Sequence, residues 1–192
     1  MTVTLIEKEA EPILINNLTW REFKVVAQLI EGPGVRLSFL DGLLEIRKMP
    51  GKQHETIKKR IAALLEIYLE FLGIDFTPRG SMTLENEAEK VKCEADESYE
   101  IGPDKDLPDL VIEVIVSSGG INKLDSYKRL KIPEVWFWEN GKLSFYILQN
   151  KGYKRRDKSL LLPDLDVELL KRCINISSHT ESLREFRRGM GN

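Results

Sequence analysis

The segment PDLVIEVIVSSGGINKLDSYKRLKIPEVWFW, Pro108 to Trp138, decides the fold. It reads as a strand, a turn broken by Gly119-Gly120, a short helix, and a second strand after Pro133. The first strand is apolar almost throughout, as expected of a strand covered on both faces. Glu113 nevertheless stands in its middle. A carboxylate buried there without a partner costs several kcal/mol. Glu113 must therefore meet a cation, a metal ion or a cleft.

Upstream, Thr19 and Glu22 form the pattern of a capping box, and a helix is expected from there to about Ile30, ending in Gly32-Pro33-Gly34. VRLSFLDGLLEIRK has Asp41-Gly42 between two alternating runs, a strong hairpin signal. Its inward residues should be Leu37, Phe39, Leu44 and Ile46. Gln53 to Leu72 carries a broad apolar stripe of helical period, with Gly73 as its stop. His54 and Glu55 fall in its first turn; Lys58, Lys59 and Arg60 follow, either as a solvated face or as phosphate contacts. A strand is expected over Lys92–Tyr99, and Thr2–Ile6 as a short edge strand.

Downstream, Asn140-Gly141 joins Val135–Trp138 to Leu143–Leu148 as a second hairpin, its aromatics forming core or a dimer face. Tyr153 and Ser159–Leu162 suggest a further edge, Val167–Cys173 a helix, and Ser178–Arg188 a polar helix with Arg184, Arg187 and Arg188. The order of elements points to an α/β (α+β) chain with a mixed sheet and the long helix packed on it. One domain is expected over 1–192, with a core of about 15–175 and a helical tail at 176–192.

The chain has 192 residues, 42% hydrophobic and 31% charged, with net charge −2. Any basic surface for nucleic acid must therefore be local. Cys93 and Cys173 are the two cysteines, far from a disulfide framework, which fits a reducing cytoplasm. The N-terminus lacks the apolar core of a signal peptide, and no run reaches the ~18 apolar residues of a membrane span.

Four acids are candidates for one site: Glu55, Asp96, Asp109 and Glu113. Asp109 and Glu113 share a strand face, but four residues span ~13 Å, too far to grip one metal ion directly. A residue on a neighbouring strand sits ~5 Å away, and Asp96 is the best such partner. Two carboxylates so close repel unless a divalent cation lies between them, and oxygen ligands suit Mg²⁺ or Mn²⁺. Lys123, in the first turn of the following helix, can reach back, and Tyr127 lies one turn on along the same face. Blander readings stand beside these. Asp109 can bond loop amides at the strand start, Glu113 can pair with an arginine, Asp96 belongs to the acidic run CEADESYE, and His54 can be a capping or surface residue. With only His54 and His179, a zinc site built on histidine is not expected.

LDGLLEIRKMPGKQHETI, KVKCEADESYEI, LPDLVIEVIVSSGGINKLDSYKRLKIPEVWFWENGKLSFYIL and SLLLPDLD occur in this order. This series resembles the Uma2-type restriction endonucleases of the PD-(D/E)XK nuclease superfamily, over about residues 15 to 170. The resemblance implies a restriction-endonuclease-like core, a central mixed sheet flanked by helices. It implies metal-assisted hydrolysis of DNA phosphodiesters, with Asp96 as the first acid, Glu113 as the acid of E-x-K, Glu55 as the helix acid, and the Val114 carbonyl in the metal shell. Two positions depart from the pattern: Ala95 replaces the usual proline, and Ile115 stands where the lysine belongs. Lys123 on the next helix takes that place. The alternatives are a DNA-binding module without turnover and a protein-interaction domain. A homodimer is a further expectation for a nuclease that cuts both strands.

Overall fold

A computed structural model describes residues 11–102, 105–115 and 120–191; the expected strand at Thr2–Ile6 lies outside them. The elements in order are β1 (Ile13–Ile15), α1 (Trp20–Ile30), β2 (Val35–Leu40), β3 (Leu43–Lys48), α2 (Lys52–Phe71), β4 (Phe76–Pro78), β5 (Thr83–Asn86), β6 (Val91–Glu94), β7 (Glu97–Ile101), β8 (Leu110–Ile115), α3 (Lys123–Arg129), β9 (Glu134–Glu139), β10 (Lys142–Gln149), β11 (Gly152–Arg156), α4 (Val167–Ile174) and α5 (His179–Met190).

Local signals account for most boundaries. The α1 capping box is present: the Thr19 side chain accepts from Glu22 N, and Glu22 returns a carboxylate to Thr19 N. Both hairpins turn where a residue of positive φ precedes a positive-φ glycine, Asp41-Gly42 and Asn140-Gly141, whose twist matches the strands they join. Ser159–Leu162 is not a strand. The amides of Leu160 and Leu161 instead donate to the buried Glu134 carboxylate, at 2.9 and 3.1 Å.

The strands form two sheets rather than one. A mixed sheet runs β11-β10-β9-β8-β7-β4, with β8 and β9 parallel; an antiparallel sheet runs β1-β3-β2-β6-β5. The strand expected over Lys92–Tyr99 is in fact β6 and β7, divided at Ala95-Asp96. β6 pairs with β2 in one sheet and β7 with β8 in the other, so the chain changes sheets at that corner.

β8 is central and covered on both faces. Its Leu110, Ile112 and Val114 pack with Ile61, Leu64 and Leu65 of α2, in a core shared with Trp136, Phe145, Leu170 and Phe186. On the other face Val111 packs with Tyr127 of α3, with Leu130 at its C-cap, and with Val91 and Cys93 of β6. The aromatic hairpin β9–β10 is therefore core through Trp136, Trp138 and Phe145. A third cluster lies under α1, where Phe23 stacks on Phe39 at 4.5 Å. Leu37, Phe39 and Leu44 are buried as expected, and Ile46 is packed but only partly covered. No described helix is long and apolar enough to cross a membrane.

Candidate active site

The corner at Ala95-Asp96 and the end of β8 meet at a cleft of about 350 Å³ between the two sheets. Asp96, Glu113, Val114, His54 and Lys123 line it, together with Arg36, Glu45 and Arg47 from the β2–β3 hairpin. Glu97 is the register partner of Ile112, so one antiparallel step further sets Asp96 beside Glu113. Val114 N donates to Asp96 Oδ2 at 2.8 Å, tying the corner to β8.

Asp96 is buried and surrounded by donors. Arg36 Nη1 reaches Oδ1 at 2.7 Å, and His54 Nε2 lies 3.0 Å from Oδ2. Burial pushes its carboxyl up, but the His54 hydrogen bond and charge, the Arg36 guanidinium and the Val114 amide outweigh that. The net result holds it well below the usual carboxylate range. His54 has a carboxylate on each ring nitrogen, with Glu55 Oε1 3.2 Å from Nδ1. Burial opposes its charging; Asp96 and then Glu55 overcome burial and raise its pKa.

Glu113 behaves in the opposite way. Its Oε1 accepts from the Tyr127 hydroxyl and lies 3.4 Å from Lys123 Nζ. Both partners engage the same oxygen, Oε1. Burial pushes Glu113 up to about 7 against the pull of Lys123, and the charge on Asp96 adds to the rise. Lys123 stays an ammonium: burial lowers its pKa, but Glu113, Cys93 and Asp96 together outweigh that and raise it. Its amine also donates to the Glu94 carbonyl at 3.2 Å. Lys123 is the first residue of α3, and Tyr127 is four residues on, so one helix face delivers both groups to Glu113.

The other candidates separate from this centre. Glu55 binds Lys58 at 2.8 Å and touches Asp96 only through His54. Asp109 is a loop tie, accepting from Ile101 N and Lys105 Nζ at 2.7 Å each. The solvated-face reading fails for Lys58 and Arg60, which are buried, and holds for Lys59, which is exposed and pairs with Glu97 at 2.7 Å. Arg60 caps α4 and its exit by donating to the carbonyls of Ile174 and Ser177.

Three residues of the cleft went unread in the sequence: Arg36, Glu45 and Arg47. Each is an unremarked polar residue in the β2–β3 hairpin, and only the change of sheets at Ala95-Asp96 brings that hairpin to β8. Glu45 is buried, and its Oε2 accepts Ile121 N at 2.7 Å while Oε1 takes Arg47 Nε at 2.7 Å. It thereby pins the entry to α3.

No three His, Cys, Asp or Glu side chains converge as a ready cage among the described residues. Two adjacent carboxylates remain, in an open cleft. That set fits a hard cation that keeps several of its waters, as Mg²⁺ does.

No curated protein matches this chain. Among solved structures it is similar to a nuclease of the DUF820 group from Anabaena variabilis ATCC 29413, itself described as putative. The TM-score is 0.51 at 16% identity, covering 88% of this chain and 99% of that one, a likeness of fold. The profile of the Uma2 family, described as "putative restriction endonuclease", matches residues 20–175. That match spans well over half of the sequence, and the chain belongs to the Uma2 family.

Proposed function

We propose that this protein is a metal-dependent endodeoxyribonuclease whose reaction centre is the Asp96–Glu113–Lys123 cluster. The observation that carries this reading is the pairing of two buried carboxylates at an open cleft, with an ammonium 3.4 Å from one of them. Asp96, Glu113 and the Val114 carbonyl would hold Mg²⁺ or Mn²⁺. When bound, such an ion supplies Lewis-acid polarisation of a phosphoryl oxygen and of its own water.

The chain's own residues do the rest. Tyr127 and Lys123 both engage Glu113 Oε1, which orients the carboxylate. His54 and the Val114 amide fix Asp96 from behind. Lys123 fills the role left open at Ile115: its amine orients the nucleophile or balances charge developing on the phosphate. Glu55 holds His54 from outside and would be the further acid for a second ion.

The test is nicking of supercoiled plasmid with Mg²⁺ or Mn²⁺. Wild type should nick and Glu113→Gln should not; equal cleavage by both counts against the reading. A second reading rests on the three donors already engaging Asp96: a nuclease scaffold that binds DNA without turnover. It predicts salt-sensitive DNA binding by wild type with no nicking in either metal. We place the protein in the cytoplasm, where Cys93 and Cys173 stay reduced, and expect two copies to act together if both DNA strands are cut.

A further inference from the structure

We infer that the exposed edge strand β11 and its flanks, Lys151 to Lys158, form a second DNA-backbone contact joined to the cleft by the sheet face through Phe137 and Ser144. This inference rests on the nuclease reading above and names where the substrate's flanking phosphates would lie.

The first observation is charge. The stretch KGYKRRDK holds five cations, Lys151, Lys154, Arg155, Arg156 and Lys158, against one acid, Asp157, in a chain of net charge −2. All five cations are exposed. None forms an ion pair among the described residues, whereas Lys24, Arg36, Arg47, Lys59, Lys92, Lys123 and Arg129 each sit on a carboxylate. The cationic surface expected to be local is concentrated here.

The second observation is position. Glu113 is the register partner of Phe137, and Phe137 is the partner of Ser144. Directly opposed residues share a face, so the three form a row across β8, β9 and β10. Arg155, the register partner of Tyr146, shares that face two residues further along, and its Nη2 donates to Ser144 Oγ at 3.0 Å; Lys154 and Arg156 flank it on the opposite face of the same edge strand. Phe137 itself lines the cleft. Strands lie ~4.8 Å apart and two residues along a strand span ~6.6 Å, which sets Arg155 roughly 16 Å from Glu113. That distance is about five nucleotide steps of one DNA strand along the helix axis. A duplex seated with one phosphate at Glu113 and Lys123 would thus carry its backbone to β11.

Cations on an edge strand also deter edge-to-edge pairing, and that bland role must be told apart. The experiment is fluorescence anisotropy of a short labelled duplex in EDTA, over a series of salt concentrations. Wild type is compared with Lys154→Gln/Arg155→Gln/Arg156→Gln, with Arg155→Gln alone, and with Arg184→Gln/Arg187→Gln on α5 as control. The triple variant should lose at least about tenfold in affinity, and its slope of log K on log salt should shrink by about 2–3. The single variant should shrink it by about 1, and the α5 control should match wild type.

A triple variant with the wild-type slope overturns the inference, as does one that only aggregates more while binding the duplex equally. Preference of wild type for anionic vesicles over duplex overturns it too. If wild type nicks plasmid while the triple variant keeps its slope, this contact alone falls. If wild type neither binds nor nicks DNA, the nuclease reading falls with it.

Discussion

Replacing Arg36 by methionine tests the reading of the cleft most directly. Arg36 is 7% exposed and Asp96 1%, and their closest atoms are 2.7 Å apart. Removing one member of a buried pair costs about 3–5 kcal/mol, since the remaining charge stays desolvated. Here Asp96 keeps His54 and the Val114 amide, so the loss should fall near the low end, about 3 kcal/mol. For a chain of this length that corresponds to roughly 6–12 °C in Tm. Urea denaturation of metal-free protein at neutral pH reads it directly. Adding Asp96→Asn should restore part of the loss, because the charge that needed Arg36 is gone. A double-mutant cycle should give a coupling of at least about 2 kcal/mol. Strictly additive losses would refute the claim that Arg36 serves as the resident countercharge of Asp96.

Two other outcomes follow from the same surroundings. Burial pushes the Cys93 thiol up to about 12 from its ordinary 9.0; Lys123 pulls it back in part, while Glu113 and Glu94 add to the rise. The folded state therefore holds that proton more tightly, so the contribution is full below pH 9 and fades as pH rises from 9 to 12. Wild type should lose up to about 4 kcal/mol more than Cys93→Ala over that window, and native Cys93 should resist a thiol reagent at pH 8. An unchanged difference between the two proteins across the window would refute this. Gly120 has φ +96, and an added Cβ would stand 1.5 Å from Glu45 Oε2. Gly120→Ala must expel that carboxylate or shift the entry to α3, costing about 1–3 kcal/mol in urea melts and weakening Mn²⁺ binding measured by electron paramagnetic resonance. Wild-type stability together with wild-type Mn²⁺ affinity would show that Glu45 does not hold the entry to α3.

Much of this protein was legible in its sequence, because the signals were local. The Thr19 capping box, the Asp41-Gly42 and Asn140-Gly141 turns, the stripe of α2 and the apolar run of β8 each depend on residues a few positions apart. Glu113 stood out for the same reason, as a charge in an apolar strand; strand spacing and helix position singled out Asp96 and Lys123 as its companions, and the resemblance of the chain attached roles to them. The division into two sheets did not show, since β6 and β7 read as one alternating run and a corner at Ala95-Asp96 leaves no periodic trace. Nor did Arg36, Glu45 and Arg47, which look like the solvated face of a hairpin. Whether a polar residue meets water or a carboxylate from 60 residues away is a matter of which sheets face each other. Short-range pattern thus determined the elements and the unusual acid. Only tertiary packing decided that the acid faces Asp96, that Asp96 is already held by an arginine, and that Asp109 serves a loop, because burial and pairing are properties of the assembled interior.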